Sequence, residues 1–353
     1  MHIAIVSTHV LSSDTPAIAR ELGRGHSVTV YTRTNSAIKA SSAIKGVTVE
    51  QVPAGPAEEL SENDLLPYIS DFSDGLKRCW RKDRPDVIHA HSWTSGLAAI
   101  AGSDGLGVPV TQTFHHGDAP SAPVQRLERA IGRRARAVIA ACAGEESELI
   151  RMGVPRRNIA VVPSGVDVAR FRRQGPAFPR GEQARLLHIG HQGAGLAIMA
   201  LAGVPGAELV VAGGDEPAVA RLRMLAGDKG VADRVDLLGP VPHESMPKLI
   251  RSADVALSLA PSAPTGMAAL EAMACGVPVI VSATGAHLDS VVHGVTGFHV
   301  RRPGEVAVRV RQLLGDQTLR TALGFAGADR ARSRYSLERI SQELIRVYEN
   351  VCA

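Results

Sequence analysis

The sequence predicts an α/β protein built from two doubly wound parallel sheets, and three observations lead to this prediction. The chain has 353 residues, a little over twice the roughly 150 of a typical domain. Short apolar runs alternate with stretches of helical periodicity along the chain, as expected when right-handed crossovers join parallel strands. Between residues 167 and 185 the segment FRRQGPAFPRGEQ interrupts this alternation with two prolines and two glycines, which predicts a linker.

Each predicted strand is a short apolar run bounded by turn residues or by a helical stretch. In the first half these runs are residues 3–6, 27–31, 47–52, 87–90, 108–113, 138–141 and 159–162. In the second half they are residues 185–189, 208–212, 235–238, 255–259, 277–281 and 297–300. Helices are predicted between them, including one over 267–274 that Gly276 ends, and a last helix over 336–351 that begins with a serine N-cap.

The composition excludes several classes of protein. With 45% hydrophobic and 21% charged residues, the chain is close to the average of globular proteins, which excludes disordered, collagen-like and coiled-coil chains. Only 3% of the residues are aromatic, against 35 glycines and 21 prolines. We therefore expect a core of small aliphatic side chains, as close packing of helices on sheets allows.

The net charge of +4 is small for this length, and the arginines are scattered. No basic stripe accompanies a recognisable nucleic-acid module, so we expect no nucleic-acid partner. The densest basic run, RLERAIGRRAR over 126–136, has two interpretations. It is either the solvated face of a helix or a patch for an anionic acceptor or a membrane surface, and peripheral membrane contact therefore stays open.

The cysteines predict neither a zinc site nor a disulfide framework. Cys79, Cys142, Cys275 and Cys352 lie far apart and form no CxxC pair. The first ten residues lack the basic and apolar regions of a signal peptide, and no run reaches the roughly 18 apolar residues that a membrane span needs. We expect a cytoplasmic protein without integral membrane contact, and its oligomeric state stays open.

The segment 253–300 holds the residues with the clearest chemistry. A predicted strand is followed by the loop PSAPTG and then by a helix. Thr265 and Gly266 bring free backbone N–H groups to the start of that helix, where unpaired donors and the helix dipole stabilise a phosphate. Glu271 lies about one turn further on, where a carboxylate can accept hydrogen bonds from the vicinal diol of a ribose. Taken alone, Glu271 could also be an ordinary helix-surface carboxylate.

The same segment resembles the nucleotide-sugar signature of the GT-B retaining glycosyltransferases of family 4. The resemblance there lies in ADVALSLAPS, PTGMAALEAMACGVPVIVS and GAHLDSVVHGVTGFHV. Elsewhere it lies in GRGHSVTVYTR, RPDVIHAHSWTSG, VPVTQTFHH, VVPSGVDVARF, AELVVAGG and VADRVDLLGPVPHESMPKLIRSAD. It covers nearly the whole chain.

The resemblance implies the GT-B fold, in which two Rossmann-like domains face a cleft. We place the acceptor-side domain at residues 1–170 and the nucleotide-sugar domain at 171–335. The last helix, 336–353, is expected to pack back towards the first domain.

For the donor, the resemblance implies that Glu271 binds ribose and that Thr265, Gly266, Met267 and Ala268 offer backbone donors to the diphosphate. The sequence departs from the family pattern at two places in the donor site. Ala263 stands where the family has a glutamate that touches the donor sugar. The family's G-R-x(3)-K-G is replaced by a loop that keeps Gly190, has His191 in place of the arginine and lacks the lysine. The cations that normally neutralise the departing diphosphate are therefore missing.

On the acceptor side, the resemblance makes His115 the candidate catalytic residue, close to the donor sugar, with a packed loop histidine as the alternative. His91 and Trp93 are candidate acceptor contacts. The family's glycine pair after the first strand is absent, and Ser12 and Ser13 stand there, as a helix cap or as acceptor contacts. His243 follows the loop LGPVP, at the expected base-binding edge or in a solvated loop.

The function predicted first is a metal-independent, retaining glycosyltransferase that moves a sugar from a nucleoside-diphosphate sugar to a small-molecule acceptor. It needs no cofactor, because the nucleotide sugar is a co-substrate. The setting predicted for it is bacterial biosynthesis of specialised metabolites or glycolipids. The alternative is a catalytically silent GT-B homologue that binds a ligand or assists a partner enzyme, since the first glutamate, the arginine–lysine pair and the glycine pair are all missing.

Overall fold

The structure is a computed structural model that describes residues 1–8, 15–34, 46–58, 60–114 and 121–353. The chain divides into two compact units. Unit 1 comprises Met1–Gly165 and Leu337–Ala353, and unit 2 comprises Val166–Ser336. The division after Gly165 lies close to the domain boundary placed at 170 from the sequence.

Unit 1 is built on a parallel sheet, which has seven strands in the described part of the chain. These strands are β1 (His2–Ser7), β2 (Ser27–Arg33), β3 (Thr48–Val52), β4 (Val87–His91), β5 (Val110–Thr113), β6 (Ala137–Ala140) and β7 (Ile159–Val161). Their order is β3-β2-β1-β4-β5-β6-β7, and each pair is parallel. Every residue of β4 and β6 is buried, as expected for parallel strands that are covered by helices on both faces.

Unit 2 repeats this plan with six parallel strands in the order β10-β9-β8-β11-β12-β13. Its strands are β8 (Ala184–Ile189), β9 (Ala207–Ala212), β10 (Val235–Gly239), β11 (Val255–Ser258), β12 (Val279–Ser282) and β13 (Gly297–Val300). All thirteen strand predictions are confirmed, and so is the doubly wound fold class.

Helices connect the strands of both sheets. In unit 1 they are α1 (Thr15–Leu22), α2 (Ile69–Lys82), α3 (Trp93–Gly102), α4 (Ala122–Arg134) and α5 (Ala143–Arg151). In unit 2 they are α6 (Ala194–Leu201), α7 (Glu216–Asp228), α8 (Met246–Arg251), α9 (Met267–Ala274), α10 (His287–Ser290), α11 (Pro303–Gly315) and α12 (Gln317–Tyr335). None of the described helices has the length and apolar character needed to cross a membrane.

The last helix, α13 (Leu337–Cys352), follows unit 2 in the chain but belongs to unit 1. Its residues Ile340, Leu344 and Tyr348 are buried in the same hydrophobic cluster as Ile3 and Ile5 of β1. Ser336, which the sequence predicts as the N-cap of this helix, directly precedes α13 and forms a parallel bridge with Val166. The two ends of unit 2 therefore lie side by side.

Small residues allow close packing, in keeping with the low aromatic content. A Cβ added to Gly324 of α12 would lie 2.2 Å from the carbonyl oxygen of Gly276, which follows α9. Since real Cβ atoms do not approach backbone so closely, this position requires glycine. Among the few large aromatic side chains, Trp80 and Phe72 are fully buried in unit 1.

Candidate functional site

The strand order of unit 2 reverses between β8 and β11, and the loops after these two neighbouring strands diverge there. Such a switch point, at the carboxyl ends of parallel strands, is where doubly wound sheets bind their ligands. The predicted donor residues Gly190 and His191 follow β8, and Thr265, Gly266, Met267 and Ala268 follow β11. The structure thus brings the two segments that are predicted to bind the sugar donor to the carboxyl ends of these neighbouring strands.

The loop after β8 depends on glycine. Gly190 has φ +89° and Gly193 has φ +81°, in the left-handed region that disfavours other residues. A Cβ on Gly193 would lie 2.2 Å from the carbonyl oxygen of Leu259, which follows β11. The loop therefore packs directly on the backbone of the other donor segment. His191, which takes the place of the family's arginine, has an exposed side chain.

His188, near the end of β8, joins the same two segments by hydrogen bonds. Its Nδ1 lies 2.9 Å from the carbonyl oxygen of Gly190, and its Nε2 accepts from the backbone N–H of Leu259 at 3.4 Å. Because a carbonyl can only accept, the proton of the neutral ring is on Nδ1. Complete burial lowers the pKa of His188 to about 4, so the ring is neutral at physiological pH.

His287, at the start of α10, supports the end of β11 from the other side. Its Nε2 lies 3.2 Å from Oγ of Ser258, and its Nδ1 lies 3.1 Å from the carbonyl oxygen of Ser282, the last residue of β12. Burial lowers the pKa of His287 to about 4 as well. Two buried, neutral histidines therefore hold the end of β11, one bonded to Leu259 and the other to Ser258.

Helix α9 begins directly after this turn, with the bounds that the sequence predicted. Gly266 is its N-cap residue in the left-handed conformation, and no side chain caps the helix. The first intrahelical bond runs from the N–H of Leu270 to the carbonyl oxygen of Gly266 at 3.1 Å. The N–H groups of Met267 and Ala268 come before it and have no intrahelical acceptor, so they remain available to an anion.

Ala263 occupies the position where the family resemblance expects a sugar-binding glutamate. The residue is buried, and its carbonyl oxygen accepts from the N–H of Ala286 at 2.8 Å. A Cβ on Gly285 would lie 2.3 Å from that oxygen. The backbone of Ala263 is therefore tightly packed against the loop after β12.

Glu271 lies on α9 and is largely buried, which argues against an ordinary surface carboxylate. Its Oε1 lies 2.8 Å from Nε2 of His243, 28 positions away in the chain. The Glu271 side chain is 9% exposed and that of His243 is 47% exposed. On the other side of His243, the Phe171 ring is 5.4 Å away between ring centroids. The sequence suggested His243 only as a base-edge or solvated loop residue, and the contact with Glu271 was not foreseen.

In unit 1, the acceptor-side candidates that the structure describes are buried. His91 ends β4 and lies beside His89, with 4.3 Å between the ring centroids. Trp93 belongs to a hydrophobic cluster with Phe114 and Ile131, so its ring contributes to packing. His115, Ser12 and Ser13 lie outside the described residues.

A cluster of hydroxyl groups at the switch point between β1 and β4 was not predicted. Thr8 Oγ1 lies 2.7 Å from Thr94 Oγ1, and the N–H of Thr8 donates to Ser95 Oγ at 3.0 Å. Ser92, whose Oγ joins this cluster, has φ +78°, the only positive φ of a non-glycine residue in the described ranges. The available signal was that serine and threonine directly follow predicted strands, and the family resemblance implied no role for these hydroxyl groups.

No group of three or more His, Cys, Asp and Glu side chains that could hold a metal ion occurs within residues 1–8, 15–34, 46–58, 60–114 and 121–353.

Solved structures share this fold over the whole chain. Sucrose-phosphate synthase from Thermosynechococcus elongatus has a TM-score of 0.87 and 23% identity, with 99% of this chain and 98% of that chain covered. The Anabaena protein HepE in complex with UDP and glucose has a TM-score of 0.83 and 19% identity, with 99% and 100% covered. The two doubly wound sheets thus form the GT-B fold.

Sequence comparisons narrow this class to a family. Residues 14–165 match the model of the glycosyl transferase 4-like domain, and residues 188–330 match that of the glycosyl transferases group 1. D-inositol 3-phosphate glycosyltransferase of Xylanimonas cellulosilytica is 30% identical over 98% of this chain and 96% of its own length. Its counterpart in Mycolicibacterium smegmatis is 31% identical over 78% and 70%. The chain belongs to the family 4-type GT-B glycosyltransferases.

Proposed function

We propose that this glycosyltransferase moves a sugar from a nucleoside-diphosphate sugar to a small-molecule acceptor, with retention of anomeric configuration and without a metal ion or other cofactor. The observation that supports it best is the position of Glu271. This largely buried carboxylate lies one turn beyond the uncapped start of α9, at the switch point of unit 2. A carboxylate and free N–H groups at that spacing suit a ribose diol and a diphosphate.

Each part of the donor has a counterpart in this proposal. Glu271 accepts hydrogen bonds from the ribose hydroxyls, and the turn from Thr265 to Ala268 donates to the diphosphate. Gly190 leaves room for the phosphates beside β8, and His191 supplies part of the charge that the family's arginine would provide. His115 contacts the sugar or the acceptor, and His91, Trp93, Ser12 and Ser13 are assigned to the acceptor side.

The reaction proposed is a front-face displacement. The bond between the anomeric carbon and the leaving phosphate oxygen breaks while the bond to the acceptor oxygen forms on the same face. The acceptor's proton passes to the departing phosphate oxygen, so no enzymic nucleophile is needed. The protein contributes by orienting the reactants and by stabilising the developing charge on the diphosphate.

The comparisons guide the choice of substrates to test. HepE is described in complex with UDP-glucose, and the two relatives are named D-inositol 3-phosphate glycosyltransferase. We therefore propose a panel of UDP, GDP and ADP sugars combined with phosphorylated polyols and other small hydroxyl or amine acceptors. Formation of a glycoside, detected by mass spectrometry, supports transfer, and the configuration of its anomeric carbon tests retention.

Replacing Glu271 with alanine should reduce kcat/KM about 30- to 150-fold, because the ribose loses hydrogen bonds to a charged group worth about 2 to 3 kcal/mol. The measurement is a steady-state assay with the best donor of the panel. Glu216→Ala, which removes an exposed carboxylate in the first turn of α7, is the matched control and should keep its activity. Unchanged turnover in Glu271→Ala would refute the assigned role.

The missing cations favour one alternative function, a catalytically silent homologue, and this alternative can be tested. His191 replaces arginine and the lysine is absent, and losing one group that stabilises developing charge commonly costs about 2.7 to 4 kcal/mol. If the chain binds nucleoside diphosphates but forms no glycoside with any acceptor, it is a catalytically silent homologue. If His191→Arg increases kcat, the transferase assignment is strengthened.

Removing divalent metal should leave turnover unchanged. The proposal assigns the neutralisation of the diphosphate to the N–H groups at the start of α9 and to the helix dipole, in place of a cation. The measurement compares initial rates after dialysis against EDTA with rates after Mg²⁺ or Mn²⁺ is restored. Loss of activity that either metal rescues would contradict metal independence.

A further inference from the structure

We infer that His243 is a positioning residue for ribose binding, which holds the Glu271 carboxylate in place before the donor arrives. The inference rests on the proposed function, since it assumes a nucleoside diphosphate at the switch point of unit 2. It adds His243, which lies on a different loop, to the donor site. His243 affects ribose binding only through Glu271.

The hydrogen bond between the two side chains has a defined direction. An ionised carboxylate can only accept, so Nε2 of His243 donates to Oε1 of Glu271. The separation of 2.8 Å lies in the range of charge-assisted hydrogen bonds, which are stronger than neutral ones. The imidazole therefore fixes one oxygen of the carboxylate, whether or not the ring carries a second proton.

The second carboxylate oxygen is left for the ligand. Among the residues that the structure describes, Oε2 of Glu271 makes no hydrogen bond to another side chain or to the backbone. A carboxylate has about four lone-pair positions, of which His243 uses one. The carboxylate can therefore hold His243 and a vicinal diol at the same time.

His243 is itself supported by the surrounding elements. It lies in the loop between β10 and α8, and the buried Phe171 ring is tilted 46° against its imidazole, with 5.4 Å between the centroids. The His243 imidazole is thus half-exposed, whereas the Glu271 side chain to which it donates is largely buried. Burying a flexible glutamate costs rotamer entropy, and fixing the side chain in the free protein removes this cost from the binding step.

The experiment compares ligands with and without the ribose diol on the full chain. Binding of UDP, ADP and GDP and of their 2′,3′-dideoxy counterparts is measured by calorimetry for the wild type, His243→Ala and His243→Gln. We expect His243→Ala to weaken binding of the best ribonucleotide about tenfold and to leave its dideoxy counterpart unchanged. His243→Gln, whose amide N–H can replace the imidazole donor, should recover most of the loss.

Two further measurements separate positioning from a structural role. In a Glu271→Ala background, His243→Ala should weaken ribonucleotide binding no further, because its effect passes through the carboxylate. In turnover assays, His243→Ala should raise the KM for the donor and leave kcat unchanged. His293→Ala, which removes another exposed histidine of unit 2, should match the wild type, and thermal melts check that every variant is folded.

Equal weakening of ribo- and dideoxynucleotide binding in His243→Ala would overturn the inference, because the histidine would then act on the base or on the fold. An additive effect of the two substitutions would also overturn it. If the wild type binds both ligand types equally, the ribose role of Glu271 fails while nucleotide binding stands. If the wild type binds no nucleoside diphosphate, the proposed function fails and the inference fails with it.

Discussion

Lowering the pH from 7.5 to 4 should destabilise unit 2 by about 6 kcal/mol through His188 and His287 alone. Both rings are buried, and their pKa values are lowered from 6.5 to about 4. Below pH 6.5 the unfolded chain binds a proton at each histidine while the folded chain does not, so stability is lost as the pH falls from 6.5 towards 4. Each histidine contributes about 3 kcal/mol to this loss.

The measurement is urea denaturation followed by circular dichroism at several pH values, with the double variant His188→Asn/His287→Asn for comparison. Asparagine keeps a donor near the Nδ1 position but lacks the Nε2 contact, so the variant is less stable at pH 7.5. Because asparagine does not titrate, the stability of the variant should fall much less on acidification. Histidine ring NMR gives the two pKa values directly. A double variant whose stability falls with pH as steeply as that of the wild type would contradict the prediction.

Replacing Gly193 with alanine should destabilise unit 2 by about 4 kcal/mol and displace the loop after β8. Two independent causes act at this residue. Its φ of +81° disfavours any side chain, which costs about 1 to 2 kcal/mol. The added Cβ would also lie 2.2 Å from the carbonyl oxygen of Leu259, a backbone atom that cannot rotate away as a side chain would. Steric overlap of this kind adds about 1 to 3 kcal/mol.

Gly206→Ala is the matched control, because this residue has φ +75° but no atom within 4 Å of the added Cβ. It should lose only the conformational part of the free energy of unfolding, about 1 to 2 kcal/mol. Chemical denaturation of the two variants measures the difference. Equal losses in Gly193→Ala and Gly206→Ala would show that close packing on Leu259 contributes nothing.

The fold could be predicted from the sequence because its signals are local. Strands that are buried on both faces are continuous apolar runs, such as 87–90 and 255–259, and each can be recognised without knowing its neighbours. The bounds of α9 were also predictable, since Gly266 and Gly276 flank it within one short segment. The sequence pattern therefore contained both the alternation of strands and helices and the division into two domains.

The candidate site was predictable only where a family motif spans it. Glu271 and Gly266 lie in one continuous segment, so the resemblance identified both. The contacts that support the site join residues that are far apart in the sequence, so they depend on strand order. Leu259 bonds to His188, which is 71 positions away, and Glu271 bonds to His243 across 28 positions. Nothing local in the sequence distinguishes a histidine that supports a strand end from one that packs in a loop.

The path of the chain through the two units also constrains the order in which they form on the ribosome. In the sequence, unit 2 stands between the two segments of unit 1. The N–H of Val166 bonds to the carbonyl oxygen of Tyr335 at 2.7 Å, so the first and last residues of unit 2 are joined within unit 2 itself. The cluster around β1 is completed by Leu344 and Tyr348 of α13, which are synthesised after all of unit 2. Unit 2 can therefore fold while unit 1 still lacks its last helix, so β1, which is synthesised before unit 2, completes its packing only after unit 2 has been made.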